Sequence, residues 1–171
     1  MPPEVWWKAP AKINLYLKVL DKRPDGYHNI ASLFQMVSLY DRLRFRSVSG
    51  GISLTTRGET VSAGSDNLIY QAAKKLMQTC YRKGGVAIEL DKQIPLGAGL
   101  GGGSSDAAAT LLGLKRLWRL RIPYSDLMEM ALELGSDVPF FMDGPTAFVQ
   151  GRGEKIVPCR LAKPWWLLIV N

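Results

Sequence analysis

Pro95-Leu-Gly-Ala-Gly-Leu-Gly-Gly-Gly-Ser-Ser-Asp-Ala-Ala-Ala109 sets five glycines, at 97, 99, 101, 102 and 103, directly before an alanine-rich segment. Ala107, Leu111, Leu114 and Trp118 follow at spacings of three and four, the period of a helix with one apolar face. Glycine reaches left-handed backbone conformations at little cost and lets a ligand approach the main chain. A helix start offers unpaired N–H groups and the positive end of its dipole. A glycine loop feeding a helix therefore predicts a phosphate site, against the plainer reading of a structural turn or a Gly/Ser linker.

The loop fits neither common phosphate motif. Residues 97–102 match G-x-G-x-x-G by letter, but residues 117–124 offer no acid about 20 residues on, where the dinucleotide fingerprint wants one. Ser104-Ser105 stands where a Walker loop would carry Lys-Ser/Thr.

Working outward, residues 11–20 alternate strictly and predict a strand with Ile13, Leu15, Leu17 and Val19 on one face and Lys12 and Asn14 on the other. A lysine between core positions is costly unless paired or functional; the plain alternative is a wet edge face. Arg23-Pro-Asp-Gly26 signals a turn, with Tyr27 and His28 just beyond it and extended segments over 30–40. Gly50-Gly51 predicts a hairpin between 42–48 and 52–56. Ser65-Asp66 can cap a helix carrying Ile69, Ala73, Leu76, Met77 and Cys80, and residues 86–90 read as a short strand. A helix over about 105–119 stops before Pro123, and Ser125 caps another that meets Gly135. Residues 146–149 and 155–157 read as strands, and Trp165–Val170 has the pattern of a buried one. Strands mixed irregularly with helices make this an α+β domain.

The chain of 171 residues, 47% hydrophobic, can bury one sizeable core, and one domain is expected. No apolar run reaches membrane-spanning length, and Met1–Lys8 lacks the layout of a secretion signal. Cys80 and Cys159 have no metal-ligand spacing and a single histidine excludes a His-rich site, so no protein metal site is expected and a reducing cytoplasm is the natural compartment. The formal charge of +7 favours a polyanionic partner, whether nucleic acid or a phosphorylated small molecule. Arg42, Arg44 and Arg46 alternate along one strand face, but such runs are usually solvated.

Phosphoryl transfer needs a phosphate cradle, neutralising charge and a group that takes the acceptor's proton. Asp137, in Gly135-Ser-Asp-Val-Pro-Phe-Phe141, is the candidate for the last; a capping or turn aspartate is the commoner fate beside Gly and Pro.

Pro10-Ala-Lys-Ile-Asn-Leu15, Asp25-Gly-Tyr-His28, Asp66-Asn-Leu-Ile69, the glycine loop and Gly135–Phe141 occur in the order seen in the GHMP kinase superfamily, which the chain resembles from about residue 8 onward. The resemblance implies the α+β GHMP N-terminal domain, similar to domain 2 of ribosomal protein S5. It implies ATP with Mg2+ as cofactors and Lys12 with Asp137 as the catalytic pair. Pro95, Leu96, Gly97, Ala98, Gly99, Leu100, Gly101, Gly102, Gly103, Ser104 and Ser105 would wrap the ATP phosphates, with Asn67, Leu68, Ile69 and Lys92 near the adenine. The lysine strand with Asp-Gly-Tyr-His narrows the resemblance to kinases that phosphorylate the C2 hydroxyl of a cytidyl-diphosphate-linked methylerythritol in non-mevalonate isoprenoid synthesis. Asn14, Tyr27 and His28 would then line the substrate cleft. Members of this superfamily are usually longer. Residues 1–171 would be the N-terminal, ATP-binding domain without its C-terminal partner, with reduced or no turnover of its own. The apolar C-terminal strand could then support self-association. The rivals are an S5-like RNA-binding module and a GHMP kinase for another small alcohol.

Overall fold

The computed structural model describes residues 3–24, 26, 28–59, 61–161, 163 and 165–170. Its elements run β1 (Glu4–Lys22), β2 (His28–Val48), β3 (Gly51–Gly58), α1 (Leu68–Thr79), β4 (Gly85–Lys92), α2 (Gly102–Leu117), α3 (Tyr124–Leu134), α4 (Phe140–Asp143), β5 (Thr146–Gly151) and β6 (Lys155–Pro158). The sheet has the order β3-β4-β2-β5-β6, with β1 antiparallel to β2 as well. The long β2 organises it: residues 42–48 pair with β4 and residues 30–35 with β5. Among the described residues no further strand pairs with β2 between these two stretches, and there the glycine loop leaves β4.

One core fills the space between sheet and helices, built on Leu43, Phe45, Ile88 and Leu90 of the sheet and Leu76, Leu111, Leu114 and Leu127 of the helices. Small residues set the spacing of α2, because a Cβ on Gly113 would lie 2.5 Å from the Phe45 ring. A second cluster of Ala11, Ile94 and Leu100, with Ile13, Val37 and Leu39 against it, supports the glycine loop.

Five expectations need correction. Asn67, not Ser65 or Asp66, caps α1, and α3 starts at Tyr124 after Pro123 with no side-chain cap from Ser125. The Gly50-Gly51 turn does not close a hairpin: β3 lies parallel to β4, which stands between it and β2. The glycine pair instead admits the start of β4, where a Cβ on Gly85 would fall 2.0 Å from the Gly51 carbonyl oxygen. The alternating strand breaks phase as well. Asn14 pairs with Phe34 but Tyr16 with Leu33, leaving Leu15 as an extra residue. Ile13, opposite Gln35, and Leu17, opposite Ser32, therefore point to different faces, and Leu17 and Val19 are exposed. A further slip falls at Pro10, which has no N–H for the ladder. Finally, Trp165–Val170 forms no strand, and its side chains are exposed.

Candidate functional site

The loop from Pro95 to Gly101 carries the chain from the end of β4 to β1, where the Lys12 N–H donates to the Leu100 carbonyl at 2.8 Å. Gly97, Gly99 and Gly101 all have φ near +70°, and a Cβ on either of the first two would meet nothing within 4 Å. Alternating left-handed residues of this kind turn main-chain N–H groups inward toward an anion. Gly101 is tighter: its Cβ would lie 2.9 Å from Phe141 and 3.1 Å from Lys12 Cγ, so the loop rests directly on those two side chains.

Gly101 is the N-cap of α2, and no side chain caps that helix or places an acid in its first turn. By contrast, α1 is capped by Asn67, whose Oδ1 accepts from the Ile69 N–H at 2.8 Å. No side chain takes the first N–H groups of α2, whereas Asn67 takes one of those of α1. Leu68 is 3.8 Å from the point a Gly103 Cβ would occupy, which sets the start of α1 beside that of α2. Ile69 has its side chain sealed in the core. Ser105 is buried with its hydroxyl unpartnered, an orphan that a bound phosphate or its counter-ion would satisfy.

Lys12 is buried, and its ammonium donates to Asn14 Oδ1 at 2.7 Å, so the two residues share a face as the alternation predicts. It stands 4.7 Å over the Phe34 ring and 4.0 Å from Asp137 Oδ2. Burial pulls its pKa below the ordinary lysine value, and the Asp137 carboxylate opposes that shift. Asp137 reaches this point from the turn after α3, where the Val138 N–H bonds the Gly135 carbonyl. Phe140 pins that turn edge-on against Phe34, with ring centroids 5.2 Å apart. The structure thus brings Lys12, Asn14, Asp137 and the glycine loop together. His28 is exposed at the far end of the β1–β2 pairing, opposite Lys22. Tyr27 lies outside the described residues.

Lys92 is placed differently from the expectation of an adenine contact. It is buried beneath the loop and ion-paired to Asp41 and, at 3.1 Å, to Asp106. The other oxygen of Asp41 accepts the N–H groups of Gln93 and Ile94 at 2.6 and 2.8 Å. Asp106 keeps one unpartnered oxygen, and burial drives its pKa up to about 8 despite Lys92. Sequence reading gave no hint of this triad, because its members stand at 41, 92 and 106 with no motif joining them.

The basic strand face is not free either. Arg44 pairs with Glu4 at 2.7 Å and Glu89 at 3.5 Å, and Arg46 with Glu89 at 2.9 Å, so two of the three arginines of the stripe that RNA binding would use are compensated by carboxylates. Among the described residues no cluster of three metal-ligating side chains is found, and no helix is long and apolar enough to cross a membrane.

Comparison with known proteins fits this geometry. Residues 67–145 match the family described as GHMP kinases N terminal domain. The chain is 45% identical over 164 residues to 4-diphosphocytidyl-2-C-methyl-D-erythritol kinase of Shewanella loihica, covering 95% of this chain and 58% of the relative. The Shewanella halifaxensis protein of the same name is 46% identical over 170 residues, covering 99% and 60%. A crystal structure of 4-(cytidine 5'-diphospho)-2C-methyl-D-erythritol kinase superposes with a TM-score of 0.81 at 44% identity, over 92% of this chain and 56% of that one. Mevalonate kinase of Methanococcus jannaschii shares the fold at TM-score 0.69 and 12% identity, over 92% and 56%. The chain spans somewhat under two thirds of the length of these relatives.

Proposed function

We propose that the chain, whose residues 67–145 match the GHMP kinase N-terminal domain, is the ATP-binding portion of a kinase that phosphorylates the C2 hydroxyl of 4-diphosphocytidyl-2-C-methyl-D-erythritol. One observation carries this reading: an uncapped helix start behind left-handed glycines, touching a buried Lys12 that stands 4.0 Å from Asp137.

In this reading the amides of residues 97–103 and the start of α2 hold the β- and γ-phosphates. Leu68 borders the adenine side. The acceptor hydroxyl lies between Asp137 and the γ-phosphorus. Its oxygen forms the new P–O bond as the bond to the β–γ bridging oxygen breaks, and its proton passes to the Asp137 carboxylate. The Lys12 ammonium faces the Asp137 carboxylate and steadies the hydroxyl. Mg2+ would enter with the nucleotide and neutralise phosphate charge, and Ser104 or the unpartnered Ser105 hydroxyl would be the protein group to hold it. Asn14, Tyr27 and His28 would line the cleft of the cytidyl substrate.

The test is phosphoryl transfer from ATP to the cytidyl substrate, with CMP as competitor. Inhibition by CMP and loss of transfer in Asp137→Asn, with ATP binding retained, support the reading. Measurable transfer by the parent chain that Asp137→Asn leaves unchanged would overturn it, as would a parent chain that binds no ATP.

A further inference from the structure

The Lys12 ammonium does not stand alone opposite Asp137. It opens a chain of hydrogen bonds running to the irregular point of β1: Lys12 Nζ to Asn14 Oδ1 at 2.7 Å, Asn14 Nδ2 to Ser32 Oγ at 2.9 Å, and Ser32 Oγ to the Tyr16 carbonyl at 2.5 Å. Ser32 is fully buried on β2, and the Tyr16 carbonyl lies just past the residue that breaks the β1 register.

The direction of this chain is forced from both ends. An ammonium only donates and a carbonyl only accepts. The single Ser32 proton is committed to Tyr16, so the Ser32 oxygen can only accept, and it must accept from the Asn14 NH2 group. That fixes the amide with its oxygen toward Lys12. Turned the other way, Asn14 would set its NH2 against the ammonium and its oxygen against a hydroxyl with no proton left to give.

We propose that Ser32 is a positioning residue for Lys12: through Asn14 it dictates which end of the amide faces the ammonium, and so holds Lys12 at its reach of Asp137. Its consequence for turnover rests on the kinase reading above; its consequence for Lys12 itself does not. The extra residue in β1 belongs to the same device, since it is what turns the Tyr16 carbonyl toward Ser32.

The experiment compares the parent chain with Ser32→Ala and Ser32→Thr. Selective 15N-lysine labelling follows the Nζ resonance of Lys12, assigned with Lys12→Arg, through a pH titration. Ser32→Ala should move that resonance and make Lys12 lose its proton at lower pH, because the ammonium no longer has a fixed acceptor. Ser32→Thr, which keeps the hydroxyl, should restore both. In the transfer assay Ser32→Ala should lower kcat roughly tenfold and leave the ATP KM unchanged. A loss of stability alone would not shift the Lys12 titration. A Ser32→Ala chain whose Lys12 resonance and titration equal the parent's overturns the proposal. A parent chain that binds no ATP would count against the kinase reading, and the Lys12 titration would still decide the role of Ser32.

Discussion

Lys12 and Lys92 are both buried, and each stands on a strand against the glycine loop, yet they are held in opposite ways. Lys92 is gripped by the Asp41 carboxylate, which also collects two backbone N–H groups, and by the carboxyl of Asp106, which burial keeps protonated up to about pH 8. Lys12 has a neutral amide at 2.7 Å and its carboxylate only at 4.0 Å, beside a partly exposed Asp137. A buried cation with ionic partners in contact is architecture, since removing it strands the partners' charge. One that is desolvated and only partly compensated, at the edge of open space, is where an incoming group can complete the set. The pairing of a buried lysine, more than its burial, separates scaffold from site.

The contrast can be broken most sharply at Asp137. Asp137→Asn should reduce phosphoryl transfer about a thousandfold or more and leave the ATP Kd within about twofold, measured by steady-state assay and calorimetry. Exchanging the lysines comes next. Lys92→Met leaves Asp41 and Asp106 facing each other and should cost about 3–5 kcal/mol in urea unfolding. Lys12→Met should abolish transfer and hardly move the urea midpoint; equal midpoints for the two variants would erase the distinction.

The triad also has a pH signature. Asp106 has a folded pKa near 8 against an ordinary value of 3.8. Between these values the unfolded chain has lost the proton that the folded chain keeps, so stability falls as pH rises across that window. Asp106→Asn should flatten the dependence in urea midpoints taken at pH 5 and pH 8, and an unchanged slope would place the cause elsewhere. The smallest effect is expected at Gly99. Gly99→Ala meets open space but keeps φ at +71°, so about 1 kcal/mol of backbone strain and a modest loss of ATP affinity should follow.

What the sequence disclosed followed the range of each signal. The loop and α2 were legible because glycine spacing and an apolar helix period are local patterns. The common face of Lys12 and Asn14 was legible because two residues suffice to define it. The face beyond was misread, because nothing in Leu15 says that it is extra; only pairing with β2 shows that. The Gly50-Gly51 turn looks the same whether the next strand pairs at once or leaves room for β4, and that choice rests on residues more than thirty positions away. Asp41, Asp106 and Ser32 carried no signal, since each gains its role only from a neighbour distant in the chain.

The extra residue at Leu15 makes β1 two strands of opposite phase spliced end to end. Deleting it would let Asn14 and Tyr16 follow one another in a regular ladder opposite Phe34 and Leu33, and the irregular backbone that presents the Tyr16 carbonyl to Ser32 would be lost. Along this stretch the length of the chain is therefore under tighter constraint than its composition.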